Sequence, residues 1–182
     1  DGSGLMTALV DQLSDTVYRD KAIEIVDGFV AEHGEYGTPV DRSQIHGLRQ
    51  IAIQQPGVIK SFADHQRGRV EKKLETAGQK SRPKLETQAA FWKLIADLCE
   101  PRKLPWSPAT EAESQIPAEL RSENIPAKVK GMTPEDRGRR NRLAKEQREW
   151  LERWNTDHVP AFFQRFCTHY LYQLGKLENI NQ

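Results

Sequence analysis

Apolar residues recur at helical spacing along almost the whole of this chain, and nowhere do they alternate with polar residues for long enough to make a strand. Between Asp15 and His33, the residues Tyr18, Ala22, Ile25, Val26, Phe29 and Val30 fall on one stripe of a helix. Gly34-Glu35-Tyr36-Gly37 then reads as a helix end and turn. Thr38-Pro39-Val40-Asp41 reads as a new start, with the Thr38 hydroxyl as cap, Pro39 in the first turn and Asp41 against the dipole. The helix that follows turns Ile45, Leu48 and Ala52 inward and stops at Gln55-Pro56-Gly57. A third helix is expected from about Val58 to Ala77, on Val58, Phe62, Val70, Leu74 and Ala77, and a fourth from Leu85 to Cys99, on Leu85, Trp92, Ile95, Ala96 and Cys99.

From Pro101 to Pro134 the pattern fails. Six prolines in 34 residues (Pro101, Pro105, Pro108, Pro117, Pro126 and Pro134) remove backbone donors and fix φ every few positions, so an irregular insertion is expected, anchored by Trp106. Thr133-Pro134-Glu135-Asp136 repeats the helix-start chemistry, leading into a charged helix with a narrow seam of Leu143, Gln147, Trp150, Leu151 and Trp154. A break is expected at Asn155-Thr156-Asp157, then a last helix from about Val159 to Leu177 carrying Val159, Phe162, Phe163, Phe166, Cys167, Tyr170, Leu171 and Leu174. The fold class is therefore all-α: a compact helical bundle of about five to six helices over residues 5–182, with 100–133 as a Pro-rich, partly irregular insertion. Residues 1–4, Asp-Gly-Ser-Gly, read as a linker remnant, with Met6 as the natural start.

The sequence gives catalysis little to work with. No two of His33, His46, His65, His158 and His169 stand four apart as a helical zinc pair does, and Pro160 makes His158 a helix-cap residue. Cys99 and Cys167 have no metal-binding spacing, which fits a reduced, cytoplasmic chain. Acidic pairs such as Glu146 and Glu149 interleave with cations and read as helical charge pairs. There is no nucleophile elbow, phosphate-binding glycine loop or dinucleotide fingerprint, and no apolar run near 18 residues. The expectation is a protein that is not an enzyme, without metal, cofactor, membrane or small-molecule substrate.

Charge is where the chain departs from the ordinary. Lys and Arg total 27 against 26 Asp and Glu, yet the signs are segregated. Residues 1–36 carry eight acids and two bases, residues 60–84 eight bases and three acids, and residues 128–142 six bases and two acids. Two cationic stretches in a nearly neutral chain are what a phosphate-backbone binder needs, because each contact releases a condensed counterion without reading sequence. The plain alternative is a solvated helix face. On charge, Lys60, Arg67, Arg69, Lys72, Lys73, Lys80, Arg82 and Lys84 are candidate RNA contacts, with Arg139, Arg140 and Arg142 behind them. Phe91, Trp92, Trp150, Trp154, Phe162, Phe163 and Phe166 lie on apolar stripes and belong to the core before they belong to stacked bases, so shape and backbone would be read rather than base identity. The acidic first segment offers a complementary surface for self-packing or a basic subunit.

The order of motifs resembles a known family. Thr38-Pro39-Val40-Asp41-Arg42-Ser43-Gln44-Ile45 resembles the Thr/Ser-Gln-Ile helix start of the small subunit of type III CRISPR effector complexes. Phe91-Trp92-Lys93-Leu94-Ile95 is similar to that family's later Phe-x-x-Leu helix, and Phe162-Phe163-Gln164-Arg165-Phe166 with Tyr170-Leu171-Tyr172 to its closing aromatic helix. Where the family carries arginine directly after Ser-Gln-Ile, this chain has His46, with Arg49 one turn later. The resemblance implies a non-catalytic, RNA-binding structural subunit that lines a guide RNA–target RNA duplex beside other backbone subunits and copies of itself. It adds Ser43, Gln44, His46 and Arg49 as RNA neighbours. Two other classes compete: a helical protein–protein adaptor without nucleic acid, and a helix-turn-helix DNA-binding regulator built on residues 38–55 and 58–77.

Overall fold

Leu9, Leu13, Tyr18, Ala22, Val26 and Phe29 face one way from the first helical rod, although the step from Leu13 to Tyr18 is one residue longer than an α-helical face allows. In the structure, a computed structural model that describes residues 2–34 and 40–180, the rod absorbs that residue in a π-helical turn. The turn, Ser14–Tyr18, lies between α1 (Gly2–Leu13) and α2 (Arg19–His33). The extra residue per turn restores the register, so Tyr18 is fully buried like Ala22 and Val26 below it. The helix also begins at Gly2, inside the segment set aside as a linker remnant.

The expected turn and start at residues 35–39, Thr38 and Pro39 included, lie outside the described residues. What caps α3 (Arg42–Gln54) is Asp41. Its carboxylate accepts from the Gln44 N–H at 2.9 Å, and the Gln44 side-chain oxygen accepts from the Asp41 N–H at 3.3 Å. This is a capping box with Gln three residues after the cap. Ile45, Leu48 and Ala52 are fully buried, as their spacing requires.

A 3-10 turn at Pro56–Val58 leads into α4 (Ile59–Glu75), which forms a helical hairpin with α5 (Arg82–Leu98). The buried stripe of α4 is shifted from the expected one: Ile59 is fully enclosed, while Val58 is 42 % exposed and stands before the helix. Because Pro56 sets the turn, α4 begins one residue later than the apolar pattern suggested. Phe91 of α5 meets Phe29, Phe166 and Tyr170 at ring-centroid distances of 5.7, 6.2 and 5.1 Å.

The expected break at Asn155-Thr156-Asp157 does not occur. A single helix, α7 (Pro134–Ile180), runs for 47 residues, about 70 Å at 1.5 Å per residue, and passes through Pro160. The reason is a row of rings at four-residue steps: Trp150, Trp154, His158, Phe162, Phe166 and Tyr170, then Leu174. Their stacking carries the buried stripe across the break signals, with Trp154 lying flat on His158 at 3.5 Å and 6°. Pro160 deprives the Thr156 carbonyl of its helical donor, and burial of the flanking rings outweighs that loss. His158, expected as a cap residue, is instead a fully buried mid-helix residue.

The Pro-rich insertion is more regular than its composition suggests. It contains α6 (Pro108–Gln115) and 3-10 turns at Ala118–Leu120 and Ser122–Asn124. Ser107, itself buried, caps α6 by accepting from the Thr110 N–H at 3.0 Å. Trp106 does anchor the segment, 5.3 Å from Phe162 and 6.1 Å from Tyr18, and the Trp154 indole donates to the Pro108 carbonyl at 3.3 Å. Ile116, Leu120 and Leu143 form a second small cluster with Ile125 and Trp150. Among the described residues there is no strand, and the all-α bundle expected from the sequence is what the chain forms.

Candidate nucleic-acid interface

The last two turns of α4 bring Arg69, Lys72 and Lys73 onto one exposed face, because offsets of three and four place side chains side by side on a helix. Lys80 follows in the loop of the hairpin and Lys84 in the first turn of α5, both exposed. The loop is tightened by Ser81 and Arg82 amides donating to the Gly78 carbonyl at 3.2 and 3.1 Å. Among the described residues none of these five cations makes an ion pair.

The other three cations of this stretch are occupied. Lys60 lies 3.1 Å from Glu100 and 3.3 Å from Asp64, and those contacts, Glu100 first, raise its pKa above the ordinary lysine value. Arg67 pairs with Glu71 at 2.9 Å. Arg82 donates to the Leu74 carbonyl at 3.1 Å, closing the C-terminus of α4, and approaches Glu86 at 3.7 Å.

The residues at the start of α3 are engaged in its cap. The Ser43 hydroxyl donates to Asp41 at 2.7 Å, and Gln44 completes the capping box. The Gln44 N–H, then the Ser43 hydroxyl, hold the Asp41 carboxyl below the usual carboxylate range, and the charge of Lys84 adds to this. Lys84, some forty residues away in sequence, is thus close enough for its charge to be felt at the α3 N-terminus. His46 is exposed. Arg49 goes elsewhere: it lines an open groove with Arg19 and Ile23 of α2 and Arg165, His169 and Tyr172 of α7.

The second cationic stretch faces the insertion. Arg139 and Arg142 line a cavity of about 560 Å³ with Glu119, Asn124 and Glu146, and Arg140 reaches Asn141 at 3.4 Å. Gln147 ties this part of α7 to the insertion by donating to the Leu120 carbonyl at 2.9 Å. The structure therefore brings the cations of residues 60–84 together in part, and sets Arg139 and Arg142 beside the insertion, exposed and without an ion pair among the described residues.

Two features had no signal in the sequence. Tyr18 Oη and His158 Nδ1 share a hydrogen bond of 2.6 Å across 140 residues, and the His158 Nε2 is buried without a partner. Burial lowers the His158 pKa to about 4, and burial, then the charge of Glu111, raises that of Tyr18. Tyr172, midway between Tyr170 and Leu174 of the buried row of α7, is 56 % exposed. The thiols of Cys99 and Cys167 are unpaired, and burial pushes both up to about 12, which keeps them protonated.

Among the described residues no group of three His, Cys, Asp or Glu side chains is placed to hold a metal ion, and no helix is long and apolar enough to cross a membrane. No protein-family model, curated protein or solved structure matches this chain.

Proposed function

We propose that this chain is a non-catalytic structural subunit that holds an RNA duplex by its phosphate backbone within a ribonucleoprotein. The resemblance to the small subunit of type III CRISPR effector complexes supplies the specific form: a lining for a guide RNA–target RNA duplex, beside other backbone subunits and copies of itself. The observation that carries the reading is the group Arg69, Lys72, Lys73, Lys80 and Lys84, five exposed cations on one hairpin that make no ion pair among the described residues. Cations near a helix C-terminus also complement its dipole, which accounts for Lys72 and Lys73 but not for Lys80 or Lys84 beyond it. Phe91, Trp92, Trp154, Phe162, Phe163 and Phe166 are all buried, which favours contact through phosphates and 2′-hydroxyl groups over base stacking.

The DNA-regulator reading loses its reading helix. The first turns of α4 give Ile59 and Ala63 to the core, Phe62 to an edge contact with Trp92 at 5.6 Å, and Lys60 to two carboxylates. Of the exposed residues there, Lys60 and Asp64 pair with each other, which leaves Ser61 and His65 to present to base edges.

The test is binding of the purified full chain to an RNA duplex, single-stranded RNA and duplex DNA, each across a salt series. Affinity for the RNA duplex should fall steeply with salt, and charge reversal at Arg69, Lys72 and Lys73 should weaken it and flatten the salt slope by about one unit per cation removed. Salt-insensitive binding, or none to any of the three, would overturn the reading and assign the hairpin to a protein partner.

A further inference from the structure

The groove between α2, α3 and α7 is a second surface, remote in chemistry from the hairpin. Its volume is about 420 Å³, within the range of about 300–1,000 Å³ typical of ligand-binding clefts. It joins two exposed apolar side chains, Ile23 at 37 % and Tyr172 at 56 %, to three guanidinium groups, Arg19, Arg49 and Arg165, each from a different helix. Tyrosine and arginine side by side are the side chains that most often anchor protein interfaces.

The state of the three arginines decides what the groove can take. Arg165 is held by Asp15 at 2.8 Å and reaches Ser14 at 3.4 Å, which ties α7 to the π-helical turn. Arg19 lies 3.4 Å from Asp20, and His169 at the same rim is bonded to Asp27 at 2.6 Å. Arg49 alone of the three makes no ion pair among the described residues. One guanidinium is therefore open, while the carboxylates of Asp15, Asp20 and Asp27 each pair with another residue that lines the groove.

A phosphate chain would run its repeated charges past Asp15, Asp20 and Asp27, and like charges set against each other are penalised at an interface. A single carboxylate meets no such obstacle, and its two oxygens match the planar fork of Arg49. The Tyr172 ring, with the Lys176 ammonium 4.6 Å from its centroid, and Ile23 then offer apolar contact. We propose that this groove docks an extended segment of a partner protein in which an Asp or Glu side chain adjoins an aromatic or aliphatic one, the carboxylate on Arg49 and the apolar group on Tyr172 and Ile23. This docking gives Arg49, which the resemblance would set beside RNA, to a protein contact instead, and would serve a subunit that touches RNA on one side and protein on another.

The experiment is an amide chemical-shift titration of the full chain with an acetylated, amidated tetrapeptide, Leu-Asp-Phe-Gln, beside its neutral analogue Leu-Asn-Phe-Gln and an oligouridylate. The acidic peptide should shift the amides around Ile23, Arg49 and Tyr172, and bind at least fivefold more tightly than the neutral one. R49Q and Y172S, both at exposed positions, should each weaken it at least fivefold while circular dichroism stays unchanged. No shift at the groove up to millimolar peptide, or equal binding of the neutral analogue, would overturn the proposal. Displacement of the peptide by oligouridylate from the same amides would overturn it in favour of nucleic acid.

Discussion

Tyr18 Oη lies 2.6 Å from His158 Nδ1, and this one bond ties the π-helical turn of the first rod to the middle of α7. Both residues are fully buried, the His158 ring is stacked on Trp154, and Tyr18 packs edge-on against Phe162. A polar pair enclosed by rings fixes the register of two helices that apolar contacts alone would let slide.

Tyr18→Phe keeps the ring and removes the hydroxyl, leaving His158 with no partner on either nitrogen. The expected loss is about 1–3 kcal/mol of stability, the cost of a buried polar group left unsatisfied. The double variant Tyr18→Phe/His158→Phe should lose less than the two single changes summed. Denaturant unfolding of the four proteins measures the coupling, and strict additivity would show that the bond contributes nothing.

Acid should destabilise the fold through His158. Burial holds it neutral down to about pH 4, whereas in the unfolded chain it takes a proton near its ordinary value of 6.5. Its folded pKa is depressed, so its contribution is complete above pH 6.5, declines as pH falls and is exhausted near pH 4. The total is about 3 kcal/mol at about 1.4 kcal/mol per pKa unit. Thermal melts between pH 7 and 4 should show this decline in the parent chain, and a flatter profile in His158→Phe.

Removing the α3 cap, Asp41→Ala, should cost about 1 kcal/mol, and Asp41→Asn much less, since asparagine also caps. Because the folded Asp41 pKa lies below its ordinary value, the charged cap contributes at neutral pH and is lost as pH falls through that lowered pKa. The difference between parent and Asp41→Ala should therefore shrink in acid.

Pro160→Ala should stabilise the protein by about 1–3 kcal/mol, since alanine returns a donor to the Thr156 carbonyl and is the better helix former by about 3 kcal/mol in an unstrained host. A fall in melting temperature instead would mean that the ring row depends on the backbone geometry that the proline ring fixes.

Within the basic stretch the effects on RNA should differ by position. Lys72→Gln and Lys73→Gln should weaken duplex binding and flatten its salt dependence, whereas Lys60→Gln and Arg67→Gln remove cations already matched by Glu100, Asp64 and Glu71. Equal losses at all four would mean that the internal pairs open to admit phosphate.

Much of this architecture was legible in the order of residues. Ile45, Leu48 and Ala52, or Trp92, Ile95 and Ala96, repeat at helical offsets and are buried where the repeat puts them. The misreadings fall where local chemistry and burial disagree. Asn155, Thr156, Asp157 and Pro160 signal a helix end to any local reading, and the ring row from Trp150 to Tyr170 overrides them. The candidate interface was legible as a count of charges but not as a division of labour. Asp64, one turn after Lys60, already marks that lysine off from Lys72 in the sequence, but only the folded chain brings Glu100 beside it as well.

The sequence by itself determined the all-α class, most of the inward-facing residues and the segregation of charge, because helical periodicity and side-chain type are local properties that each segment carries alone. Tertiary structure decided which cations remain open, that Tyr18 meets His158, that Arg49 joins Tyr172 and Ile23 in one groove, and that two expected helices are one. Those outcomes depend on which distant surface each helix face is pressed against, and an isolated segment has no neighbour to tell it.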